Sequence, residues 1–273
     1  IKINIVNSKN KEINIIKNGF NIFDFKSISY EDNTYKSLKF AYEYTLKKIC
    51  IGIITLPLRK DLIKENINKN FIGQTEYFQK KDKKKYSNMI LYHNKIIIST
   101  ITTHIEVKKI SKFIMNKNFL YNQIYNLNNA LIRDFNIKNP KIIISGLNPH
   151  AGENGNLGIE EIKSIIPTVN KLKNKGIKVN GPLSGDTLLI KKNINKYNCF
   201  VFMHHDQALI PFKFISQFSG VNYTGNLSII RTSPDHGTGY DLIGSKNISI
   251  NSFLNCIKLV KKIHVNRLKN VNS

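Results

Sequence analysis

Four short apolar runs separated by amphipathic segments constrain the fold of this chain more than any other feature. The runs are Ile51–Thr55, Lys141–Ser145, Cys199–Met203 and Ser228–Thr232. Their length and nearly continuous apolar character are typical of buried β-strands. Because helical segments lie between them, strands alternate with helices along the chain. This alternation predicts the α/β fold class.

The segments between the runs have the spacing of helices and of one strand pair. We predict helices over Tyr35–Ile49, two stretches of Val107–Asn136, Gly158–Lys175 and Ser252–Leu268. The third segment has an apolar face of Ile159, Ile162, Ile166, Val169 and Leu172. Pro167 must kink or divide that helix. Met89–Tyr92 and Lys95–Thr102 predict paired strands around the turn His93-Asn94.

The net charge of +24 raises the question of nucleic-acid binding. Only Arg59, Arg133, Arg231 and Arg267 are arginines, and the lysines are spread along the chain. The densest cluster, residues 80–85, lacks the interleaved aromatic side chains that stack on bases. Abundant Lys, Asn and Ile together are typical of A/T-rich codon usage. We therefore favour a solvated lysine surface and expect no nucleic-acid partner, with a basic nucleic-acid-binding protein as a distant alternative.

Length, hydropathy and cysteine usage indicate a globular cytoplasmic protein. The 273 residues suit one large or two ordinary domains. The sequence has neither a long apolar stretch nor the apolar region of a signal peptide, so we expect no membrane association. It begins Ile1-Lys2-Ile3 without an initiator Met, so the chain could be incomplete. Cys50, Cys199 and Cys256 are widely spaced, and we predict buried, reduced thiols.

Three histidines lie in short segments next to residues typical of site loops. They are His104 after Thr103, His150 in the loop from Gly146 to Glu153, and His205 before Asp206. These segments follow apolar runs, and open α/β sheets bind ligands at the carboxyl ends of their strands. Neutral imidazole is a common ligand of divalent transition metals. Taken singly, each is more often an ordinary polar histidine than a ligand, and for His93 and His264 that is our interpretation.

A series of motifs resembles the 4-hydroxythreonine-4-phosphate dehydrogenase family. They include Ser145-Gly-Leu-Asn-Pro-His-Ala-Gly-Glu153, Gly158-Ile-Glu-Glu161, Asn180-Gly-Pro182, His205-Asp-Gln207, Gly220-Val-Asn222, Arg231-Thr-Ser233 and Asp235-His-Gly-Thr238. The resemblance runs from about Phe71 to the C-terminus. It implies NAD(P)-linked oxidation of 4-phosphooxy-L-threonine in vitamin B6 synthesis, followed by loss of carbon dioxide.

The resemblance also implies an architecture. It predicts two α/β/α domains with a cleft between them, as in isocitrate and isopropylmalate dehydrogenases. We expect the first domain over residues 1–69 and 235–273, and the metal- and substrate-binding domain over residues 70–234. Family members are homodimers in which both subunits complete each site, so a homodimer is expected.

Site roles follow from the resemblance, residue by residue. The expected ligands of a divalent metal (Zn, Mg or Co) are His104, His150 and His205. The expected substrate-binding residues are Gln74, Thr75, Lys213, Asn222 and Arg231. Lys213 and Asp186 are the expected catalytic residues, although Asp186 could instead cap a helix, and Asp206 has the same ambiguity. For NAD or NADP the expected contacts are His236, Gly237, Thr238, Asp241 and Gly244, since no Rossmann glycine fingerprint is present.

Three departures from the family pattern leave alternatives open. Gln74 stands where the family has a histidine, so a neutral amide replaces an imidazole. Leu56 stands where the family has a glycine. The family's glycine-rich first segment is absent, which suggests a fragment or a decaying enzyme. A dehydrogenase of another four-carbon hydroxy-acid phosphate and an inactive remnant therefore remain as alternatives.

Overall fold

The computed structural model describes residues 2–7, 15–27, 29–246 and 248–271. Its helices are α1 (Tyr30–Leu46), α2 (Lys60–Asn66), α3 (Gln74–Lys81), α4 (Ile110–Ile114), α5 (Lys117–Arg133), α6 (Ile166–Asn174), α7 (Lys191–Ile194), α8 (His205–Ser216) and α9 (Asn251–Val271). Its strands are β1 (Lys2–Asn7), β2 (Gly19–Asp24), β3 (Ile53–Ile54), β4 (Asn88–His93), β5 (Ile96–Thr100), β6 (Lys141–Ser145), β7 (Lys178–Leu183), β8 (Cys199–Phe202), β9 (Val221–Gly225) and β10 (Arg231–Pro234). Strands alternate with helices, as predicted for the α/β class.

An eight-stranded sheet organises most of the chain. Its order is β3-β10-β9-β4-β5-β8-β6-β7. The four neighbours β5, β8, β6 and β7 are all parallel to one another. Their carboxyl ends therefore lie along one edge of the sheet, and the loops that follow them are brought side by side.

Apolar side chains cover both faces of this sheet. On β6, Ile142 and Ile144 pack with residues of α5, α6 and α9, whereas Ile143 packs with residues of α8 on the other face. Both faces being buried explains why β6 and β8 are continuously apolar rather than alternating. The layers are thus helix, sheet and helix.

The strand and helix predictions are largely confirmed, with shifted ends. β6 coincides with the predicted Lys141–Ser145, and β4 pairs antiparallel with β5 around His93-Asn94. Two helices, α4 and α5, occupy the predicted Val107–Asn136 segment. The fourth predicted strand begins later than expected. Ile229 and Ile230 are buried, but they lie just before β10, which starts at Arg231. The apolar run therefore predicted burial correctly and the start of strand pairing incorrectly.

The predicted apolar face over Gly158–Lys175 is only half right. Val169 and Leu172 are buried, but Ile159, Ile162 and Ile166 remain 40–47% exposed. A π-helical turn at Glu161–Ile165 precedes α6, and Pro167 stands at the beginning of α6. The wider turn adds one residue to the repeat and rotates the preceding segment, so that Glu161, Ser164 and Ile165 face inward instead.

A second, two-stranded sheet lies near the N-terminus. β1 pairs parallel with β2, and β2 contacts α1 through Phe23 and Phe40, whose ring centroids are 4.7 Å apart. The domain division into residues 1–69 with 235–273 and residues 70–234 stays a prediction. β3, from the first of these parts, pairs with β10 in the large sheet.

The cysteine prediction needs one correction. All three thiols are free, and Cys199 and Cys256 are buried, but Cys50 is exposed because it lies in the turn after α1. Among the helices that the structure describes, none is both long and apolar enough to cross a bilayer.

Candidate active site

The four parallel strands present the predicted site residues in spatial order. His104 follows β5, His205 follows β8, His150 follows β6 and Asp186 follows β7. Two neighbouring cavities result. The cleft cavity, of about 390 Å³, contains His104 and His205 with the predicted substrate-binding residues. The loop cavity contains His150 and Asp186.

His104 and His205 form a pair of imidazoles in the cleft cavity. Their ring centroids are 5.9 Å apart. His104 Nδ1 lies 3.4 Å from Glu76 Oε1, and His205 Nδ1 lies 2.7 Å from Asp206 Oδ1. A carboxylate can only accept from the ring, so each Nδ1 carries a proton, and in the neutral tautomer that this contact favours the lone pair is on Nε2.

This pair has the donor chemistry of a metal site. Metal-binding histidines usually donate their other ring N–H to a carboxylate or carbonyl, as both rings do here. No group of three His, Cys, Asp or Glu side chains suitable for a metal ion occurs among the described residues. The two imidazoles therefore fit a divalent metal as a partial ligand set, which needs a further donor.

His150 is held away from the pair by an unusual backbone. His150, Ala151, Gly152, Glu153 and Asn154 all have positive φ, between 44° and 81°. Consecutive left-handed residues are costly for L-amino acids, at about 1–2 kcal/mol each. The imidazole of His150 is exposed.

Glu161 holds this left-handed loop in place. Its side chain is 1% exposed, and it accepts hydrogen bonds from Leu147 N at 2.7 Å, Asn148 N at 2.9 Å and Asn148 Nδ2 at 2.9 Å. A Cβ at Gly146 or Gly152 would lie within 2.9 Å of the carboxylate oxygens of Glu161. The glycines of the loop motif therefore let the backbone wrap closely around this buried carboxylate.

Arg231 provides a buried positive charge at the base of the cleft. Its guanidinium donates to Thr55 Oγ1, Thr75 Oγ1, Thr224 Oγ1 and Gln74 Oε1. Burial lowers the pKa of Arg231 to about 10, and the charge of Glu76 opposes this shift. The guanidinium therefore stays charged at neutral pH in a wall of neutral oxygens.

Lys213 provides a second cation in the cleft cavity. Its Nζ lies 2.9 Å from Asp235 Oδ2 and also donates to the Asp235 carbonyl. Burial raises the pKa of Asp235, although Lys213 opposes the shift. This contact connects α8 to the segment that begins the predicted cofactor loop.

The predicted substrate residues gather in the cleft cavity, whereas the other predicted residues are divided. Gln74, Thr75, Lys213, Asn222 and Arg231 all line the cleft cavity. Of the predicted cofactor residues, His236, Gly237 and Thr238 line it too, and Asp241 and Gly244 lie farther along an exposed turn. Asp186 is exposed beside Ser184, whose hydrogen bond lowers the Asp186 pKa. It does not cap α7, which begins at Lys191 after Ile190.

Gln74 and Leu56, the two residues that depart from the family pattern, contact each other. Gln74 Nε2 donates to Leu56 O at 2.9 Å, and Gln74 Oε1 accepts from Arg231 Nη2 at 2.7 Å. The amide of Gln74 therefore bridges the Leu56 backbone and the buried guanidinium.

Sequence reasoning missed three carboxylates that contact predicted site residues. Glu76 contacts His104, Asp235 contacts Lys213, and Glu161 holds the loop of His150. Glu161 and Asp235 belong to the quoted motifs, and Glu76 directly follows Gln74 and Thr75. The available signal was a carboxylate close to predicted site residues, but which carboxylate is buried depends on tertiary packing.

Comparison with known proteins identifies the family. The model of the family described as "Pyridoxal phosphate biosynthetic protein PdxA" matches residues 2–260. This chain belongs to that family. Among curated relatives, the 4-hydroxythreonine-4-phosphate dehydrogenase of Aquifex aeolicus is 39% identical over 212 residues, covering 78% of this chain and 65% of the relative. That of a Sulfurihydrogenibium species is 39% identical over 223 residues, covering 82% and 66%. The chain thus spans about two thirds of the length of these relatives.

Solved structures agree with this assignment. The 4-hydroxythreonine-4-phosphate dehydrogenase of Klebsiella pneumoniae matches 96% of this chain and 83% of its own, with TM-score 0.80 and 28% identity. A terephthalate 1,2-cis-dihydrodiol dehydrogenase of Burkholderia xenovorans matches 89% and 80%, with TM-score 0.63 and 22% identity. The second likeness shows a common fold and no more.

Proposed function

We propose that this PdxA-family chain is an NAD(P)-dependent 4-hydroxythreonine-4-phosphate dehydrogenase. The reaction oxidises 4-phosphooxy-L-threonine at its hydroxyl carbon and releases carbon dioxide, leaving 3-amino-2-oxopropyl phosphate for cytoplasmic pyridoxine 5'-phosphate biosynthesis. One observation carries this proposal. The same cavity holds the imidazole pair His104 and His205 together with the cations Arg231 and Lys213.

The cleft suits a small substrate with two acidic groups. All five N–H groups of Arg231 are donated to side-chain oxygens, so its position is fixed and it offers an anion mainly its positive charge. Lys213 offers a second point charge in the same cavity, and Asn222 offers an uncharged hydrogen-bonding group between strands β4 and β10. Two cations in one cavity favour a molecule that carries both a phosphate and a carboxylate.

A divalent ion of Zn, Mg or Co would be held by Nε2 of His104 and of His205, with His150 as a third ligand. When bound, such an ion would supply a Lewis acid that lowers the pKa of the substrate hydroxyl and polarises the resulting ketone. Since His150 lies in the loop cavity of its own chain, we propose that it reaches the cleft of a second subunit.

Exposed apolar side chains beside the loop cavity support a homodimer. On α8, Ile210 is 70% exposed and Phe214 is 82% exposed. Ile210 also lines the loop cavity beside His150. An apolar patch of this kind marks an interaction surface, and a second subunit placed there would bring its site residues close to this one.

Proton transfer would involve residues of the chain itself. Lys213 is held by Asp235, and as an ammonium it can give up a proton but cannot accept one. We therefore assign it the return of a proton to the carbon that carbon dioxide leaves. Asp186, on the loop cavity, would act together with His150 of the same subunit. NAD(P) would take the hydride, and it would lie along His236–Thr238, where the space beside Gly237 is open.

A second substrate remains a specific candidate because of Gln74. Its amide oxygen is already bonded to Arg231, and one amide hydrogen is bonded to Leu56. The phosphate side thus lacks an imidazole that could carry charge. A different four-carbon hydroxy-acid phosphate would be the substrate if this change altered specificity.

Metal content and turnover should be measured on the same purified sample. The wild type is compared with His150→Ala and with His93→Ala, a hairpin histidine whose ring contacts only Asn94 in the hydrogen bonds described. We expect stoichiometric metal and NADH formation in the wild type and in His93→Ala, and loss of both in His150→Ala. Metal without turnover would indicate another substrate or an inactive remnant. Absence of metal, combined with salt-sensitive DNA binding, would favour the nucleic-acid alternative.

A further inference from the structure

Glu76 is a charged residue of the cleft that no predicted role includes. It stands at the third position of α3, after Gly73 and two residues that line the substrate cavity. Its Oε1 lies 3.4 Å from His104 Nδ1. Its Oε2 is buried without a hydrogen-bond partner in the part of the chain that the structure describes.

Helix capping does not explain this arrangement. A glutamate at the third helical position often reaches back to the helix start. Among the hydrogen bonds of the described residues, none joins the Gly73 amide to the Glu76 side chain. A buried, unpaired carboxylate oxygen costs about 1–3 kcal/mol, and its only hydrogen-bonded neighbour in this part of the chain is His104, through the other oxygen.

Gly73 provides independent support that the carboxylate position matters. The backbone of Gly73 is extended, so its conformation is open to any residue. A Cβ there would nevertheless lie 2.7 Å from Glu76 Oε2. The absence of a side chain at position 73 therefore makes room for the folded-back carboxylate of Glu76.

Glu76 is placed to accept a hydrogen bond from His104, because its Oε1 faces the Nδ1 of that ring. An ionised carboxylate accepts the Nδ1 proton of His104. This interaction holds the imidazole in the tautomer that leaves Nε2 free, and it increases the basicity of Nε2.

We propose that Glu76 is the positioning residue of His104 and strengthens metal binding through it. This inference rests on the proposed function, because it requires that His104 bind a metal. Asp206 stands in the same relation to His205, at 2.7 Å, but its side chain is 74% exposed, whereas that of Glu76 is 30% exposed. Water competes for an exposed carboxylate, so Glu76 contributes more than Asp206 to metal affinity.

The test is a Co²⁺ titration of the 273-residue chain, followed by its visible absorption, for the wild type, Glu76→Gln and Asp206→Asn. Glu76→Gln keeps the size of the side chain and one carbonyl oxygen, and removes the charge. We expect Co²⁺ affinity to fall about 10–100-fold in Glu76→Gln and about threefold or less in Asp206→Asn. In a His104→Ala background, Glu76→Gln should cause no further loss, because its effect passes through His104.

The possible results separate this inference from the proposed substrate. Equal Co²⁺ affinity in the wild type and Glu76→Gln would overturn the inference, as would an equal loss in the His104→Ala background. A wild type without Co²⁺ binding would overturn both this inference and the metal site. A tenfold loss in Glu76→Gln without any NADH formation by the wild type would support the inference and contradict the substrate assignment.

Discussion

The cleft cavity and the loop cavity differ in how complete they are within one chain. In the cleft cavity, His104, His205, Arg231 and Lys213 each have a partner that fixes the charged or ring group. In the loop cavity, His150 is exposed on a strained left-handed turn, and its support comes from beneath the backbone through Glu161.

This difference indicates two ways of building a site at one sheet edge. The cleft is organised by side-chain contacts, which polarise and orient the groups that meet a ligand. The loop is organised by its backbone, which directs one histidine outward. Backbone strain that is held in place by a buried group, here the carboxylate of Glu161, is typical of functional segments. An outward-facing histidine on such a loop is what the proposed homodimer with shared sites requires.

The largest effect should come from changing the cleft cation. Arg231→Lys removes the fork that contacts Thr55, Thr75 and Gln74. We expect kcat/KM to fall about 100-fold or more, equivalent to about 3 kcal/mol. Steady-state kinetics would measure it. Arg267→Lys is the control. The Arg267 guanidinium contacts buried Asp134. This change should therefore lower the unfolding free energy and leave kcat/KM of the folded protein unchanged. An unaltered KM and kcat in Arg231→Lys would contradict the role of this residue.

Next in size is the loss of the carboxylate under the loop. Glu161→Ala leaves the amides of Leu147 and Asn148 without their acceptor. We expect the unfolding free energy to fall by about 2–4 kcal/mol and the amides of residues 147–155 to exchange faster. Urea denaturation and hydrogen exchange would measure these changes. Glu160→Ala is the matched control, because Glu160 is only partly buried and contacts the Asn148 side chain. An equal loss of unfolding free energy in both variants would show that the hydrogen bonds of Glu161 to the loop do not stabilise it specifically.

Two glycine substitutions separate the cost of backbone strain from the cost of contact with the Glu161 carboxylate. Gly152 and Gly176 have nearly equal φ, +81° and +82°, but only a Cβ at Gly152 would meet Glu161, at 2.6 Å. We expect Gly176→Ala to cost about 1 kcal/mol and Gly152→Ala about 3 kcal/mol in unfolding free energy. Thermal and urea unfolding of both variants would test the difference. Equal costs would mean that the loop does not depend on its fit to Glu161.

The smallest effect concerns the pH dependence of stability in the cleft. Burial raises the Asp235 pKa above its ordinary value of 3.8, against the opposing charges of Lys213, His236 and His205. The folded state then binds this proton more tightly than the unfolded state. Its contribution to stability is complete below pH 3.8 and is lost as pH rises through the folded pKa. Asp235→Asn should remove that component, measured as unfolding free energy against pH. An identical pH profile in the variant would contradict the raised pKa.

Much of the fold was predictable because its determinants are local. The continuous apolar run of β6 requires burial on both faces, and such a strand belongs in a helix-covered sheet. The phase of Ile159 and Ile162 was not predictable, because the π-helical turn depends on how Glu161 is satisfied by the neighbouring loop. The strand order that places β8 between β5 and β6 is likewise a tertiary property.

The candidate site was predictable as a set of residues but not as two cavities. The motifs contain His104, His205 and Arg231, which share the cleft cavity. The separate position of His150 accompanies positive φ values over residues 150–154, which only Gly152 and Asn154 favour by residue type. The importance of Glu76 depends on burial beside His104, which no spacing along the chain reveals.

The most direct test of a shared site is complementation between two inactive variants. His104→Ala and His150→Ala are produced separately, then unfolded together and refolded as a mixture. If His150 of one subunit completes the cleft of the other, half of the dimers are mixed and each contains one intact site. The mixture should then recover about a quarter of wild-type NADH formation. Activity that stays at the level of the two separate variants would contradict the account, because it would place all three histidines in one chain's site.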